Sequence, residues 1–356
     1  MAIPIPERIK RYQTWLKREP ADRPLIGLIW EPDIPPHPDL ITLSVDDQEV
    51  IPERIDPAAV LPLIEKWHRR DAQLTCDTIH CFCPAFGMPW MEAMAGCRVT
   101  SHPGSLWAEP ALSSYQNRDP IQFDPENPWL RKLIEFTRIL VENSNGRYPV
   151  ALPQMRGPLD VLAALRSPEQ MCIDILQQPR EVKLILNEIT DLWIAVNRTI
   201  LDQIPLFFNG TLSRMKAWMP GKTITPQNDV SSLISAAAYR ELAMACDTKI
   251  ISSFPYHCYH LHATEYTHIA TLLNLGPLTA LQVTLEHTLG GPSLDIMMPL
   301  LRDILERKPL LLCALDIESA DHCIRELPAA GLAVTIGLQG GDFDRVFDEW
   351  LSSRCS

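Results

Sequence analysis

The chain has 356 residues, 46% of them hydrophobic and 21% charged, which is the balance of a globular enzyme and excludes a disordered or fibrous chain. A formal net charge of −12 with no run of Lys or Arg argues against nucleic acid as the main partner, because phosphate neutralisation needs a concentrated basic face. No apolar run is long enough to cross a bilayer, and the start MAIPIPERIKRYQTW lacks the apolar centre and cleavage pattern of a signal peptide, so a cytoplasmic location and no membrane partner are expected.

The chain opens with an amphipathic helix over Glu7 to Lys17 and a turn over Glu19 to Pro24, a helical extension covering residues 1–23. Pro24 to Trp30 is the first strand, an apolar run of the kind buried on both faces, and it ends in the polar tip Trp30-Glu31. A helix over Pro57 to Arg70 precedes a second strand over Leu74 to Phe82. An irregular insertion rich in Pro, Gly and Trp then occupies 84–128. A helix from about Trp129 to Asn143 leads to a third strand, Tyr148 to Met155, followed by helical segments over Leu159 to Leu165, Pro168 to Leu176 and Pro179 to Gln203. Pro205 to Thr211 reads as a weaker fourth strand, and Arg214 to Asp229 as a loop with a turn at Pro220-Gly221.

The helix Ala236 to Ile250 runs into Phe254-Pro-Tyr-His-Cys-Tyr-His-Leu-His-Ala-Thr-Glu265, where three of the ten histidines fall within twelve residues. As a fifth strand, this stretch turns Cys258, His260 and His262 to one face and His257, Tyr259 and Leu261 to the other. A row of such groups is costly to bury without partners, so it should face a cavity, a ligand or a metal. The alternation then becomes regular: strand Leu278 to Glu286, helix Ser293 to Glu306, strand Pro309 to Asp316, helix Ser319 to Leu327, strand Leu332 to Gln339 and a final helix Asp342 to Leu351.

About eight strands alternating with helices predict a single-domain α/β fold, a (β/α)8 TIM barrel spanning 1–356. Sites of this fold sit at the carboxyl ends of the strands. The residues expected there include Trp30, Glu31, Gln154, Arg156, Asp229, His260, His262, Glu286 and Gln339, with Trp218 as an aromatic wall. The cluster Asp77-x-x-His80-Cys81-x-Cys83 has ligand-like spacing, but buried thiols beside a capped loop account for it as well. The ten cysteines, scattered through a long chain, read as thiols rather than as a disulfide framework.

The opening Glu7-Arg-Ile-Lys and Glu19-Pro-Ala-Asp-Arg-Pro-Leu-Ile-Gly, the segment Pro89-Trp-Met-Glu-Ala-Met-Ala-Gly-Cys97, Gly157-Pro158 with Asp160-Val-Leu-Ala-Ala-Leu-Arg166, Gln227-Asn-Asp-Val-Ser-Ser-Leu-Ile-Ser235 and Tyr259-His-Leu-His262 follow one another in an order that resembles the uroporphyrinogen decarboxylase superfamily. The resemblance implies a (β/α)8 barrel and one of two chemistries, tetrapyrrole decarboxylation or corrinoid-linked methyl transfer. Trp30-Glu31-Pro32-Asp33 stands where decarboxylases carry arginines for substrate carboxylates, which disfavours that branch. The methyltransferase branch implies methylcobalamin as donor or acceptor, a thiol or tetrahydrofolate as the other partner, a corrinoid protein as partner, and zinc in the thiol-using members. Homodimer formation is left open.

Thr264 occupies the place of an expected cysteine ligand, so Cys258, His260 and His262 are the metal candidates, with Glu286 or Asp229 completing the set. His260 and His262 have bases about 7 Å apart on a strand. Catalytic roles fall to His262, Asp229, His260 and Glu286. The substrate contacts expected are Trp30, Glu31, Gln154, Arg156, Trp218 and Gln339. The alternatives are a decarboxylase of a tetrapyrrole or smaller carboxylic acid and a non-catalytic corrinoid- or tetrapyrrole-binding protein.

Overall fold

The computed structural model describes residues 3–28, 49–73, 75–85, 87–102, 105–314, 316–337, 349–350 and 353–354. Trp30, Glu31, Gln339 and most of the final expected helix lie outside the described residues. The described strands are β1 (Leu25–Leu28), β2 (Glu49–Val50), β3 (Arg98–His102), β4 (Ser105–Glu109), β5 (Thr211–Leu212), β6 (Trp218–Met219), β7 (Thr223–Ile224), β8 (Tyr256–His262), β9 (Ala280–Leu285), β10 (Leu310–Ala314) and β11 (Leu332–Ile336). Six of them form one parallel sheet in the order β1-β11-β10-β9-β8-β7. Helices Ile269–Leu272, Leu294–Arg307 and Ile317–Glu326 fill the connections between successive strands from β8 to β11, the alternation that parallel pairing requires.

The second and third expected strands are extended segments rather than ladders. Asp77 N–H donates to the Ile26 carbonyl on β1 at 2.8 Å, and Phe82 bridges Val150 in parallel. These contacts continue the sheet beyond β1. Gly27 is required at the first of these joints, since a Cβ there would lie 2.2 Å from the Thr78 side chain.

Two expectations are corrected. Pro205 to Thr211 is not the fourth strand: Phe208 and Asn209 take positive φ (51° and 61°) in a turn. Thr211–Leu212 then pairs antiparallel with Trp218–Met219. The strand that joins the sheet is Thr223–Ile224, inside the expected loop, and its pairing continues where His260 N–H donates to the Pro226 carbonyl at 2.9 Å. Flanking prolines and its shortness hide this β-branched run in the sequence. The 84–128 insertion is also not wholly irregular. It holds a short helix, Trp90–Met94, and a hairpin, β3 with β4, extended by β2 into a small antiparallel sheet.

The helix Ile5–Lys17 packs across the amino ends of the strands. Its Tyr12 and Trp15 are buried, Trp15 Nε1 donates to the Leu310 carbonyl at 3.2 Å, and Arg8 Nη1 donates to the Thr78 carbonyl at 2.8 Å. The polar cluster lies at the opposite, carboxyl end of the sheet. No helix among the described residues is long and apolar enough to cross a membrane.

Candidate active site

The site grows out of the parallel register of two strands. His260 lies beside Gln282, and His262 beside Thr284, so the same-face row Cys258, His260, His262 on β8 runs next to Gln282, Thr284 and then Glu286 just past β9. Side chains at paired positions meet, and here they lock the imidazoles. His260 Nδ1 is hydrogen-bonded to Gln282 Oε1. The Gln282 amide is oriented in turn by its NH2 group donating to Thr284 Oγ1 at 3.0 Å. His262 Nδ1 donates to Glu286 Oε1 at 2.7 Å, and the His262 backbone N–H donates to Glu265 Oε2 at 2.7 Å.

With both Nδ1 atoms held by acceptors, the chemistry is left to the Nε2 atoms, which face each other at 3.2 Å. Asp229 completes the group. It begins the 3-10 turn Asp229–Leu233 after β7, and its Oδ2 accepts from Gln227 Nε2 at 2.8 Å. Asp229 Oδ1 lies 4.0 Å from His260 Nε2, and Oδ2 lies 3.8 Å from His262 Nε2. One ligand atom from each of Asp229, His260 and His262 can be chosen so that all lie within 4.8 Å of one another.

Two neutral imidazoles whose Nδ1 atoms both carry the proton present facing lone pairs, which repel unless a proton or a cation sits between them. The electrostatics favour a proton on His262. The Glu286 carboxylate raises its affinity for a proton against the effect of burial, whereas burial, with help from Arg214, pushes His260 well below the ordinary histidine range. Burial also pushes Asp229 up, opposed by His262. Asp229 Oδ1 is buried and accepts no hydrogen bond among the described residues. An orphaned carboxylate oxygen beside two imidazole nitrogens, each imidazole held from behind, is a donor set that fits a divalent ion such as zinc.

The turn that carries Asp229 is fixed from three sides. Asp160 Oδ1 accepts from Val230 N–H at 2.9 Å and Oδ2 from Gly157 N–H at 3.2 Å, while burial, reinforced by Asp229, pushes the Asp160 carboxyl up to about 7. Buried Glu265 takes the Ser231 hydroxyl at 2.7 Å, tying the Asp229 turn to the turn after His262. Behind β8, Asn228 Nδ2 donates to Asp247 Oδ1 at 3.1 Å, and Tyr239 and Tyr259 donate to Asp247 Oδ2. Gly157 permits the close approach of helix Pro158–Arg166, because a Cβ there would sit 1.6 Å from the Gln227 carbonyl oxygen.

Not every expected residue comes to this point. Cys258 lies deeper along the same face, buried with Leu25, Ala280, Leu311 and Ala333, where burial pushes its thiol up to about 12; it is not among the three convergent residues. Trp218 is buried in the same apolar cluster as Tyr12 and Trp15, with its Nε1 donating to the Phe207 carbonyl at 3.0 Å, and so stands with the amino-end helix rather than the carboxyl-end site. Gln154 is half-buried at the end of the third extended segment. Arg156 is half exposed, with Nη1 3.2 Å from Glu92 Oε1.

The Asp77 cluster is structural. Asp77 pairs with Arg11 at 2.9 Å and with Arg23, His80 pairs with Asp71, and Cys81 Sγ donates to the Ser213 carbonyl at 3.5 Å. Gln282, Gln227, Glu265 and Asp160 are not among the site residues expected from the sequence, although the last three lie in the quoted motifs. Gln282 left a trace there, a lone amide in the apolar run Ala-Leu-Gln-Val-Thr-Leu.

No protein-family model matches the chain, and no curated protein matches it. Among solved structures, a methyltransferase from Methanosarcina mazei aligns with a TM-score of 0.64 and 14% sequence identity, covering 93% of this chain and 92% of that chain. The likeness extends over nearly the whole of both chains, and at that identity it establishes a shared fold: a mixed α/β architecture built on a six-stranded parallel sheet.

Proposed function

We propose that this chain is an enzyme of the uroporphyrinogen decarboxylase type, a closed (β/α)8 barrel that moves a methyl group between a corrinoid and a thiol or tetrahydrofolate acceptor. The closed barrel is supported by the joints at Ile26 to Asp77 and Phe82 to Val150, and by the packing of Gly157 on Gln227, which bring the two extended segments next to the six-stranded sheet. The observation that carries the chemistry is the convergence of His260 Nε2, His262 Nε2 and the orphaned Asp229 carboxylate.

In this reading Asp229, His260 and His262 hold a zinc-like ion, Gln282 and Glu286 fix the imidazoles from behind, and Cys258 stays outside. A bound divalent ion would supply Lewis acidity, lowering the pKa of a thiol so that it gives its proton to water at neutral pH. The chain's own residues manage the proton. Any proton that Glu286 favours on His262 must be released before both Nε2 atoms can serve as ligands. The side chains of His262 and Asp229, 35% and 30% exposed, give that proton a route to water.

The test is methyl exchange with free methylcobalamin in the presence of a thiol or tetrahydrofolate, run beside metal analysis of the unmodified protein and of His262→Ala. The expected result is exchange with one acceptor and about one divalent ion per chain, lost in the variant. No exchange with either acceptor in folded, zinc-supplemented protein refutes the reading, and release of CO2 from candidate acids would replace it with a decarboxylase.

A further inference from the structure

Between the hairpin of β3 and β4 and the helix Pro158–Arg166 lies a cavity of about 600 Å³. Its inner end is lined by Arg156, Asp160 and Asp229, and its flank by Leu106, Trp107 and Ala163. The cavity therefore ends on one of the three residues of the candidate centre. Trp107 is 59% exposed, its ring tilted by 40° against His102 at 5.0 Å between centroids, so a large aromatic face stands open to solvent beside an apolar wall. Such a face beside a concave, mostly apolar lining is what a small-molecule site offers.

The inner end has one cation aimed into it. Arg156 is anchored by Glu92, a fully buried carboxylate of the helix Trp90–Met94, and neither Glu92 oxygen takes a hydrogen bond among the described residues. A guanidinium has five N–H donors in a planar fork. Among the described residues Arg156 has Glu92 as its ion-pair partner, and its side chain is 43% exposed, so the remaining donors face the cavity. A group that meets them must be an acceptor, and a planar carboxylate matches the fork. A second negative charge on the ligand would meet Asp229 and Asp160 on the same wall, so a dianion is repelled where a monoanion is held.

We propose that this cavity binds a monocarboxylate with a compact apolar body, its anion on Arg156 and its body between Trp107 and the helix Pro158–Arg166. This rests on the reading of Asp229, His260 and His262 as the reacting centre only for the role of the ligand as substrate; the binding site stands on its own residues.

The experiment is calorimetric titration of the full chain with phenylacetate, phenylacetamide and benzylphosphonate. Phenylacetate should bind saturably and about tenfold more tightly than phenylacetamide, which keeps the body and loses the charge. Benzylphosphonate, which carries a second charge near neutral pH, should bind more weakly than phenylacetate. Arg156→Met should abolish the preference for acid over amide, Arg156→Lys should keep part of it, and Trp107→Ala should weaken acid and amide alike by several-fold. Equal binding of acid and amide to the unmodified chain overturns the proposal, as does an unchanged preference in Arg156→Met or tighter binding of the phosphonate. If Arg156→Met fails to fold because Glu92 is left buried and unpaired, the acid and amide comparison on the unmodified chain decides alone. The titrations use chelator-treated chain, in which Asp229 keeps its charge, so absence of methyl exchange or of a metal refutes the proposed function without touching this comparison, and the two failures are distinguishable.

Discussion

Replacing Glu286 by Gln separates the charge of that side chain from its shape. Glu286 Oε1 is 2.7 Å from His262 Nδ1, and their side chains are 19% and 35% exposed. Opposite charges about 4 Å apart attract by about 4 kcal/mol at an effective dielectric of 20 and by about 1 kcal/mol in water. The exposure of His262 puts the pair in the lower part of that range, about 1–2 kcal/mol. The sign follows from the raised affinity of folded His262 for its proton. The stabilisation is fully present below the ordinary histidine value of about 6.5 and disappears as pH rises through the folded value. Urea melts of chelator-treated Glu286→Gln should therefore fall short of the unmodified protein by about 1–2 kcal/mol at pH 5.5 and by much less at pH 9. An NMR titration of the His262 ring, assigned by its absence in His262→Ala, should show its midpoint moving down. Divalent-ion affinity should drop by about 10–100-fold, as expected for loss of the group that orients a ligating histidine. A stability gap independent of pH, with an unmoved His262 midpoint, refutes the assignment of Glu286 as the partner that loads His262 with its proton.

Gln282→Leu should strand the buried Nδ1–H of His260 and cost about 1–3 kcal/mol, whereas Gln282→Glu, which keeps an acceptor, should recover most of it in thermal melts. Gly157→Ala places a Cβ 1.6 Å from the Gln227 carbonyl, a backbone atom that cannot rotate away, so its chemical-denaturation midpoint should fall by the equivalent of 3 kcal/mol or about that, with the Asp229 turn displaced and metal affinity reduced. Asp247 is buried with its carboxyl pushed up to about 7, so in the folded state it holds a proton that the unfolded chain releases near 4. It therefore favours folding below about pH 4 and loses that contribution as pH rises toward 7, a slope that Asp247→Asn should flatten in melts across that range.

The parts of the fold that the sequence makes legible are those with a strong local period. β9 to β11 and the helices between them fall where the apolar runs and amphipathic stretches place them, because buried parallel strands need continuous Val, Ile and Leu, whereas β8 is legible through its two-residue polar alternation. Thr223–Ile224 is illegible for the opposite reason: two residues suffice because β8 and the Pro226 carbonyl complete the pairing from outside. The hairpin of β3 and β4 carries a Pro103-Gly104 turn signal in its sequence, but its short strands hold few apolar residues and no clean alternation; they are held by cross-strand contacts, including Thr100 Oγ1 donating to Glu109 at 2.8 Å. In the site, period two on β8 puts His260 and His262 together. The neighbour that orients His260 depends on the register between β8 and β9, a non-local quantity that no single stretch encodes. Cys258 shares the face of the histidines yet sits lower along the strand, since a face is a line of positions and a site is one end of it.

The Ile5–Lys17 helix also has a consequence for how the chain comes to be folded. Trp15 docks on the Leu310 carbonyl, 295 residues further along the chain. At synthesis speeds of about 5–20 residues per second, the helix must wait about 15–60 s for the strand it closes against. Until then the aromatic face of Tyr12 and Trp15 is open to wrong partners. The segment translated well ahead of the sheet is thus among the last to find its place, and a holding factor present during that interval should raise the folded yield more than one added after the chain is released.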